Sequence, residues 1–139
     1  MEIISPEADL SEYDSENASC IVMGLHFGDF DALFTGDVDG LGEEHLIDVL
    51  ESEAYSYELL KVAHHGSKSA TSREFLEVLE PKAAIVSYGE NNMYGHPSPD
   101  TIARLEDIGV SIYKTGEDGA ITVKSDGREI SIKTYKIKE

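Results

Sequence analysis

Cysteine is nearly absent from this sequence of 139 residues, which contains only Cys20. A single cysteine cannot form an internal disulfide bond, so a fold held together by disulfides within the chain is excluded. The residue begins the apolar run Cys20-Ile21-Val22-Met23, which predicts a buried thiol in the core. The cysteine content therefore says little about the cellular compartment.

Long apolar runs are also missing. The longest extend about six residues, whereas a membrane-spanning helix needs about 20. The N-terminal residues Met1-Glu2-Ile3-Ile4-Ser5-Pro6 lack the basic and then apolar pattern of a signal peptide. Because 139 residues suffice to bury a continuous core, we expect one soluble globular domain from the chain as given.

Positive charge is absent from the first 60 residues, which contain 16 of the 28 acidic residues and none of the 11 lysines and arginines. The formal net charge of the whole chain is -17. Such a field repels nucleic acid phosphates at long range, and no basic stripe compensates for it. If the substrate is a polyanion, a metal ion or another domain must supply the attraction.

Strand and helix patterns alternate along the rest of the chain. Residues 1–17 are polar and acidic and are predicted to form a loop, whereas 18–139 carry the fold. The patterns predict, in chain order, a hairpin over 18–27 and 30–35, a helix over 41–53, a strand over 57–63, a helix from 71 to 79, a strand over 82–88, a helix from 98 to 109, a strand over 110–115, a turn over 116–119 and a hairpin over 120–124 and 129–137. This order is typical of an α/β fold.

Three polar loops follow successive predicted strands and carry the unusual residues: Thr35-Gly36-Asp37, His64-His65-Gly66-Ser67 and Tyr94-Gly95-His96-Pro97. Taken singly, Asp37 fits a turn residue and His96 fits a loop histidine. The paired histidines are equally consistent with a functional site and with a structural role. Together, at the ends of neighbouring strands, they predict a preorganised metal site. Its oxygen and nitrogen donors suit zinc, manganese or iron.

A resemblance to a known family rests on these three loops and on the closing stretch 115–123. In this order they resemble the C-terminal half of the metallo-β-lactamase-like hydrolase domain of ComEC-type DNA-internalisation competence proteins, over about Ala18 to Val123. The resemblance implies that 18–139 form one αβ layer pair of an αββα sandwich. Its mixed sheet would carry helices on one face, with a dinuclear metal site at the seam.

The resemblance also implies roles for individual residues. Asp37 would bridge two divalent ions, zinc or manganese, and either His65 or His64 would complete a coordination sphere, with His65 preferred. His96 would contact phosphate or act as a general acid. Ser67 and neighbouring N–H groups at the start of the following helix would bind a substrate oxygen.

The first metal motif of the superfamily, His-x-His-x-Asp-His, occurs nowhere in this sequence. Its histidines are His26, assigned to a strand, His45, assigned to a helix, and His64, His65 and His96. Two explanations stay open. Either the chain is a fragment whose parent supplies the missing ligands from the N-terminal half of the same domain, which we prefer, or it is a remnant without catalysis.

The expected function follows from the resemblance. We expect part of a metal-dependent phosphodiesterase or nuclease linked to DNA uptake in competence, in a parent protein of the bacterial plasma membrane. The isolated chain would bind metal weakly or not at all, have little activity, and self-associate through its exposed sheet face. The alternatives are a small-molecule ester or phosphoester hydrolase of the same superfamily and a non-catalytic interaction or regulatory module.

Overall fold

The computed structural model describes residues 1–6, 16–53 and 56–136. The strands in these ranges are β1 Glu2–Ser5, β2 Val22–Phe27, β3 Phe30–Phe34, β4 Leu59–Lys61, β5 Ala83–Val86, β6 Ser111–Lys114, β7 Ala120–Ser125 and β8 Ile130–Tyr135. The helices are α1 Gly40–Glu53, α2 Arg73–Leu79, α3 Pro99–Asp107 and the short α4 Thr115–Asp118. Within the described part of the chain, no helix is long and apolar enough to cross a membrane.

The main sheet has six strands in the order β1-β2-β3-β4-β5-β6, and β7 and β8 form a separate hairpin. Strands β1, β2 and β3 pair antiparallel, whereas β3, β4, β5 and β6 pair parallel. The parallel strands are joined by crossovers through α1, α2 and α3, which return the chain to the same edge before each new strand. The predicted α/β class and mixed sheet are confirmed.

One face of the sheet packs against the helices. Leu33, Leu60 and Ala84 lie side by side in register on this face. They belong to one core cluster with buried helical residues, which are Leu46, Leu50, Phe75, Leu76, Leu79 and Leu105. Because alternate residues of a strand point to opposite faces, all three long helices cover the same side of the sheet.

The opposite face is partly covered by the β7–β8 hairpin. Ala32, Leu59 and Ala83 lie side by side on this face and are buried. Val123 and Ile132 of the hairpin pack against them. The hairpin therefore takes up part of the surface through which self-association is predicted.

The N-terminal segment differs from its prediction as a loop. Residues Glu2–Ser5 form an edge strand in which Ile3 pairs with Met23 of β2. The remainder of the predicted polar segment includes 7–15, which lie outside the described residues. Backbone pairing at the edge of a sheet needs no apolar periodicity, and this is why the sequence pattern did not reveal the strand.

Two smaller predictions also need correction. The strand predicted from residue 18 begins at Val22, and Cys20 before it is half-buried. Most of the turn predicted over 116–119 belongs to the short helix Thr115–Asp118.

His26 of β2 joins the three antiparallel strands through its side chain. Its Nε2 lies 2.7 Å from Glu2 Oε1 on β1, and its Nδ1 lies 2.8 Å from Asp31 Oδ1 on β3. The ring also contacts Tyr57, with 5.7 Å between ring centroids. Since both ring nitrogens face carboxylates, the geometry favours the doubly protonated imidazolium.

Raising the pH is expected to loosen β1. Burial lowers the pKa of His26, but the hydrogen bonds to Asp31 and Glu2 more than offset this and raise it above its ordinary value of 6.5. A raised pKa in the folded state stabilises the fold below pH 6.5, and this contribution disappears as the pH rises through the folded value. Measured by urea unfolding, the free energy of unfolding should fall by up to about 1 kcal/mol from acidic to alkaline pH. The His26→Gln variant should lack this decrease. Equal pH dependence in both proteins would contradict the assignment.

Candidate metal centre

The three polar loops meet at one edge of the sheet. They follow β3, β4 and β5, which are parallel neighbours, so their carboxyl ends lie together. Backbone hydrogen bonds join the loops: His64 N–H donates to Gly36 O at 3.0 Å, and Ser98 N–H donates to Gly66 O at 2.8 Å. The backbone thereby fixes the spacing between the loops before any side chain is considered.

His65 and Asp37 face each other across this edge. The carbonyl oxygen of Ser87 lies 2.7 Å from His65 Nδ1 and can only accept, so Nδ1 carries the proton. The lone pair of the neutral ring is then on Nε2, which lies 3.8 Å from Asp37 Oδ1. Both side chains are about half exposed, at 52% and 44%. The pair thus presents one nitrogen and one carboxylate oxygen to the same solvent-accessible point.

His64 has different partners from its neighbour. Its Nδ1 lies 3.5 Å from Asp39 Oδ2 and 3.4 Å from Asn17 Nδ2, and Asn17 Nδ2 also lies 3.3 Å from Asp39 Oδ2. Sequence reasoning treated Asp39 as part of a loop and gave Asn17 no role. The spacing of Asp37 and Asp39, with one residue between two carboxylates, was the signal that could have identified the second acid.

The backbone explains why adjacent histidines point to different groups. His64, His65 and Gly66 all have positive φ angles, of 46°, 54° and 82°. For the two histidines this left-handed conformation costs of order 1–3 kcal/mol each and persists only where the surroundings enforce it. Two consecutive strained residues between β4 and α2 support a functional role for this turn.

The histidine loop is held against the 89–97 loop by a close approach at Gly66. A Cβ built at Gly66 would lie 2.7 Å from the Cβ of Pro97. Thr101 anchors the same turn, because its hydroxyl donates to Ser67 O at 2.8 Å. Position 66 therefore requires a glycine, because its φ angle is positive and Pro97 leaves no space for a Cβ atom.

Asn92 organises the loop that carries His96. Its amide nitrogen donates to Gly89 O at 2.9 Å and to His96 O at 2.7 Å. Its amide oxygen accepts from the N–H groups of Tyr94 at 3.2 Å and of His96 at 3.1 Å. One side chain therefore fixes both ends of the turn, a role that sequence reasoning did not assign to it.

His96 lies between two aromatic neighbours. Its ring meets that of His64 edge-on at a centroid distance of 5.6 Å, and the ring of Tyr94 stacks on it at 6.1 Å. Burial and, to a lesser extent, the nearby His64 and His65 lower the pKa of His96, while Asp37 opposes this. At neutral pH the ring is therefore uncharged and donates through a single N–H.

Lys61 places a positive charge at the end of β4. Its ammonium group donates to the carbonyl oxygen of Val62 at 2.8 Å. Burial lowers the pKa of Lys61, and the carboxylate of Asp37 acts in the opposite direction. The position of Lys61 in the apolar run before the histidines predicts a strand residue. It does not indicate that the charge lies near Asp37.

Ser67 lies deeper than the other predicted site residues. Its side chain is 7% exposed, and its hydroxyl bonds to the Ser69 hydroxyl at 3.0 Å. Ser69 in turn donates to Asp39 Oδ2 at 3.4 Å. The following helix α2 begins at Arg73, six residues after Ser67, and Ser72 caps it by accepting from Phe75 N–H at 3.1 Å. The structure therefore places Ser67 in a polar chain that ends at Asp39.

The donors present suit a divalent ion but form only part of a coordination sphere. A neutral imidazole nitrogen and a carboxylate oxygen are ligands for zinc or manganese, and a ring N–H held by a backbone carbonyl is the usual support for a metal-binding histidine. Over residues 1–6, 16–53 and 56–136, no group of three or more His, Cys, Asp or Glu side chains is arranged to hold a metal. The His65 and Asp37 pair fits such an ion as two of its ligands.

No protein-family model matches the chain. Among curated proteins it is similar to ComE operon protein 3 of Bacillus subtilis, with 33% identity over 133 residues that make up 96% of the chain and 17% of that protein. It is 34% identical over 108 residues to Competence protein ComA of Neisseria gonorrhoeae, covering 78% of the chain and 15% of that protein. Recombination protein 2 of Haemophilus influenzae is 28% identical over 122 residues, 88% of the chain and 15% of that protein.

The chain belongs to the ComEC family. The resemblance to ComEC-type proteins that the three loop motifs indicated is thereby confirmed. The chain spans less than a fifth of the length of the curated relatives it matches, so it corresponds to one part of a ComEC-type protein. The activity of the whole proteins can only be proposed for this chain.

In this ComEC-family chain, Gly66→Ala is expected to destabilise the fold by about 2 kcal/mol or more. The new methyl group combines an unfavourable left-handed φ with a collision against Pro97. Gly95→Ala is the matched control, because Gly95 has a similar φ of 71° and nothing within 4 Å of its Cβ position. Urea unfolding should show a smaller loss of about 1 kcal/mol for the control. Equal losses would mean that the contact with Pro97 has no energetic weight.

Proposed function

We propose that this chain is the C-terminal half of a metal-dependent phosphodiesterase domain that acts on DNA during uptake by competent bacteria. The competence link comes from the family and from the name of one relative, Competence protein ComA. The hydrolase chemistry is proposed from the donor geometry at the ends of β3, β4 and β5.

One observation carries the proposal. His65 is held by Ser87 in the tautomer that leaves Nε2 free, and this nitrogen lies 3.8 Å from a carboxylate oxygen of Asp37. A strained backbone at a half-exposed histidine supports a functional role. A ring N–H held by a backbone carbonyl is a usual support of a metal-binding histidine.

Two divalent ions, zinc or manganese, are the proposed cofactor of the complete domain. When bound, they would activate a water molecule and stabilise the negative charge that develops on the phosphoryl group. Asp37 would contribute its carboxylate to both ions, and His65 would contribute Nε2 to one. His64, paired with Asp39, would support the site from outside and is the less favoured ligand.

The other predicted site residues act on substrate in this proposal. His96 is uncharged at neutral pH, since its pKa is lowered, so donation of its N–H to a phosphate oxygen is favoured over a role as general acid. Ser67 would reach substrate only through the backbone around it, because its hydroxyl is engaged with Ser69. The predicted contact with a substrate oxygen is therefore assigned to N–H groups of this turn.

The finer fold assignment belongs to the same proposal. The mixed sheet with helices on one face would be one αβ layer pair of a metallo-β-lactamase-like αββα sandwich. Its partner would be the N-terminal half of the same domain, which would supply the remaining ligands, in a parent protein of the bacterial plasma membrane. Phe34, which is 38% exposed, lies on the sheet face that such a partner would cover.

Metal removal tests the proposed function. In a ComEC-type protein that contains this chain, hydrolysis of single-stranded DNA should fall to background after treatment with a chelator. Added zinc or manganese should restore it, since the attacking water depends on the ion. Hydrolysis that persists without metal would overturn the proposal, and two bound ions without hydrolysis of any ester would favour a non-catalytic module.

A second candidate is a hydrolase of small phosphoesters or other small esters from the same superfamily. The net charge of -17 favours it, because such a field repels a long polyanion more strongly than a small substrate. A comparison of bis(p-nitrophenyl) phosphate with single-stranded DNA at low and high salt distinguishes the two. DNA hydrolysis that is slower than that of the small diester at every salt concentration would support the second candidate.

A further inference from the structure

An aromatic cleft lies directly beside the His65 and Asp37 pair. It has a volume of about 190 Å³ and is lined by His65, Tyr88, Gly89, Asn92, Tyr94 and His96. Two of these residues, His65 and His96, are also part of the candidate metal centre. A molecule bound at that centre would therefore extend into the cleft with its neighbouring group.

The first wall of the cleft, Tyr88, is rigidly held. Its backbone N–H donates to the Thr115 hydroxyl at 2.8 Å, and the same hydroxyl donates back to Tyr88 O at 2.9 Å. Its phenol donates to Glu117 at 3.3 Å. A Cβ built at Gly116 would fall on the ring of Tyr88, so this glycine leaves room for it. Residues Thr115, Gly116 and Glu117 therefore hold this tyrosine in position.

The second wall, Tyr94, presents an open ring face. The side chain is 80% exposed, although its ring stacks on that of His96 with an angle of 18° between the planes. Asn92 accepts from the backbone N–H groups of both Tyr94 and His96 and so holds the two residues together. An exposed but oriented aromatic ring at the rim of a site is suited to stacking.

We propose that this cleft binds the nucleobase of the nucleotide next to the phosphate that is held at the metal centre. The cleft residues include no lysine or arginine, so the occupant must be recognised by stacking rather than by charge. A nucleotide places a planar ring within one sugar of a phosphate, which matches the position of the cleft beside Asp37 and His65. Stacking on tyrosine accepts any base, so we expect little sequence preference.

This inference rests on the proposed function, because it assumes that the metal centre receives a phosphate ester. It is tested without metal and without hydrolysis, by binding thymidine 5′-monophosphate or 2-deoxyribose 5-phosphate to this chain. NMR titration should give roughly 10-fold tighter binding for the nucleotide, with shifts of the Tyr94 and Tyr88 ring signals. Tyr94→Ala should remove the difference between the ligands. Tyr135→Ala, which alters a 56% exposed tyrosine on β8, should keep it.

Several outcomes would overturn the inference: equal affinity for the two ligands, an unchanged base preference in Tyr94→Ala, or phenyl phosphate binding as tightly as the nucleotide. The two proposals also fail separately. A base preference that persists in metal-free Asp37→Asn, with no metal-dependent hydrolysis by the parent protein, would leave the cleft assigned and remove the nuclease. Metal-dependent hydrolysis without any base preference would support the nuclease and remove the assignment of the cleft.

Discussion

Replacing His65 with alanine is expected to lower the metal affinity of the complete domain at least about 100-fold. Mutation of a residue that only hydrogen-bonds to a metal ligand already lowers metal affinity about 10–100-fold. His65 is the proposed ligand, because its Nδ1 proton is held by Ser87 and its Nε2 faces Asp37. His64→Ala should cost no more than about 10-fold, since His64 is paired with Asp39 and Asn17. The adjacent histidines thus provide a matched pair of variants.

Metal affinity should be measured by competition with a chelator of known affinity, in a ComEC-type protein that contains this chain. Both histidines have positive φ, so alanine places the same strain on the backbone in either variant. Unfolding curves of the two variants should therefore agree, and the difference in metal binding then reports the side chains. A larger loss in His64→Ala would transfer the ligand role to His64 and leave His65 as its support.

The position of the site could be predicted from the sequence because it depends on strand order alone. Apolar strands that alternate with helical patterns imply parallel neighbours, and parallel neighbours bring their carboxyl ends together. Asp37 and His65 closely follow such strands, and His96 lies in the loop after the next one, so the three loops had to lie at one edge. No knowledge of side-chain conformation was needed for this step.

The division of roles between the histidines could not be predicted in the same way. It depends on left-handed φ angles at His64 and His65, which the sequence does not signal because non-glycine residues rarely adopt them. The tautomer of His65 depends on the carbonyl oxygen of Ser87, a backbone atom 22 residues away. The motifs therefore predicted which loops meet, but not the contacts that each histidine makes.

Strand β1 and the aromatic cleft show a similar limit. The β1 strand is recognised by its backbone pairing and by the His26 contact with Glu2, neither of which has a local pattern. Tyr88 was assigned to the end of a strand, and its place as a wall of the cleft depends on the distant residues Thr115 and Gly116. Tertiary contacts between residues at least 17 positions apart in the sequence determine both features.

Glu43→Ala is expected to produce the largest loss of stability, about 3 kcal/mol or more, although the sequence places Glu43 among the acidic residues of an amphipathic helix. The side chain is only 4% exposed. Its two carboxylate oxygens accept from the N–H groups of Thr71 at 2.5 Å and Ser72 at 2.8 Å. Thr71 has a φ of 57°, and Ser72 caps α2. Removing the carboxylate leaves the buried N–H of Thr71 and the half-buried N–H of Ser72 without this partner, each costing about 1–3 kcal/mol.

Thermal unfolding should show a decrease in Tm of about 10 °C for Glu43→Ala. Glu44→Ala is the matched control, because Glu44 is the next residue of the same helix, carries the same charge and is exposed. Glu43→Gln keeps one acceptor oxygen and should lose about half as much as the alanine variant, because only one of the two donors then stays unpaired. Since α2 follows the histidine turn and α1 follows Asp37, the connection made by Glu43 ties together the two elements that extend from the candidate metal centre. If Glu43→Ala and Glu44→Ala unfold at the same temperature, this connection contributes nothing to the stability of the fold.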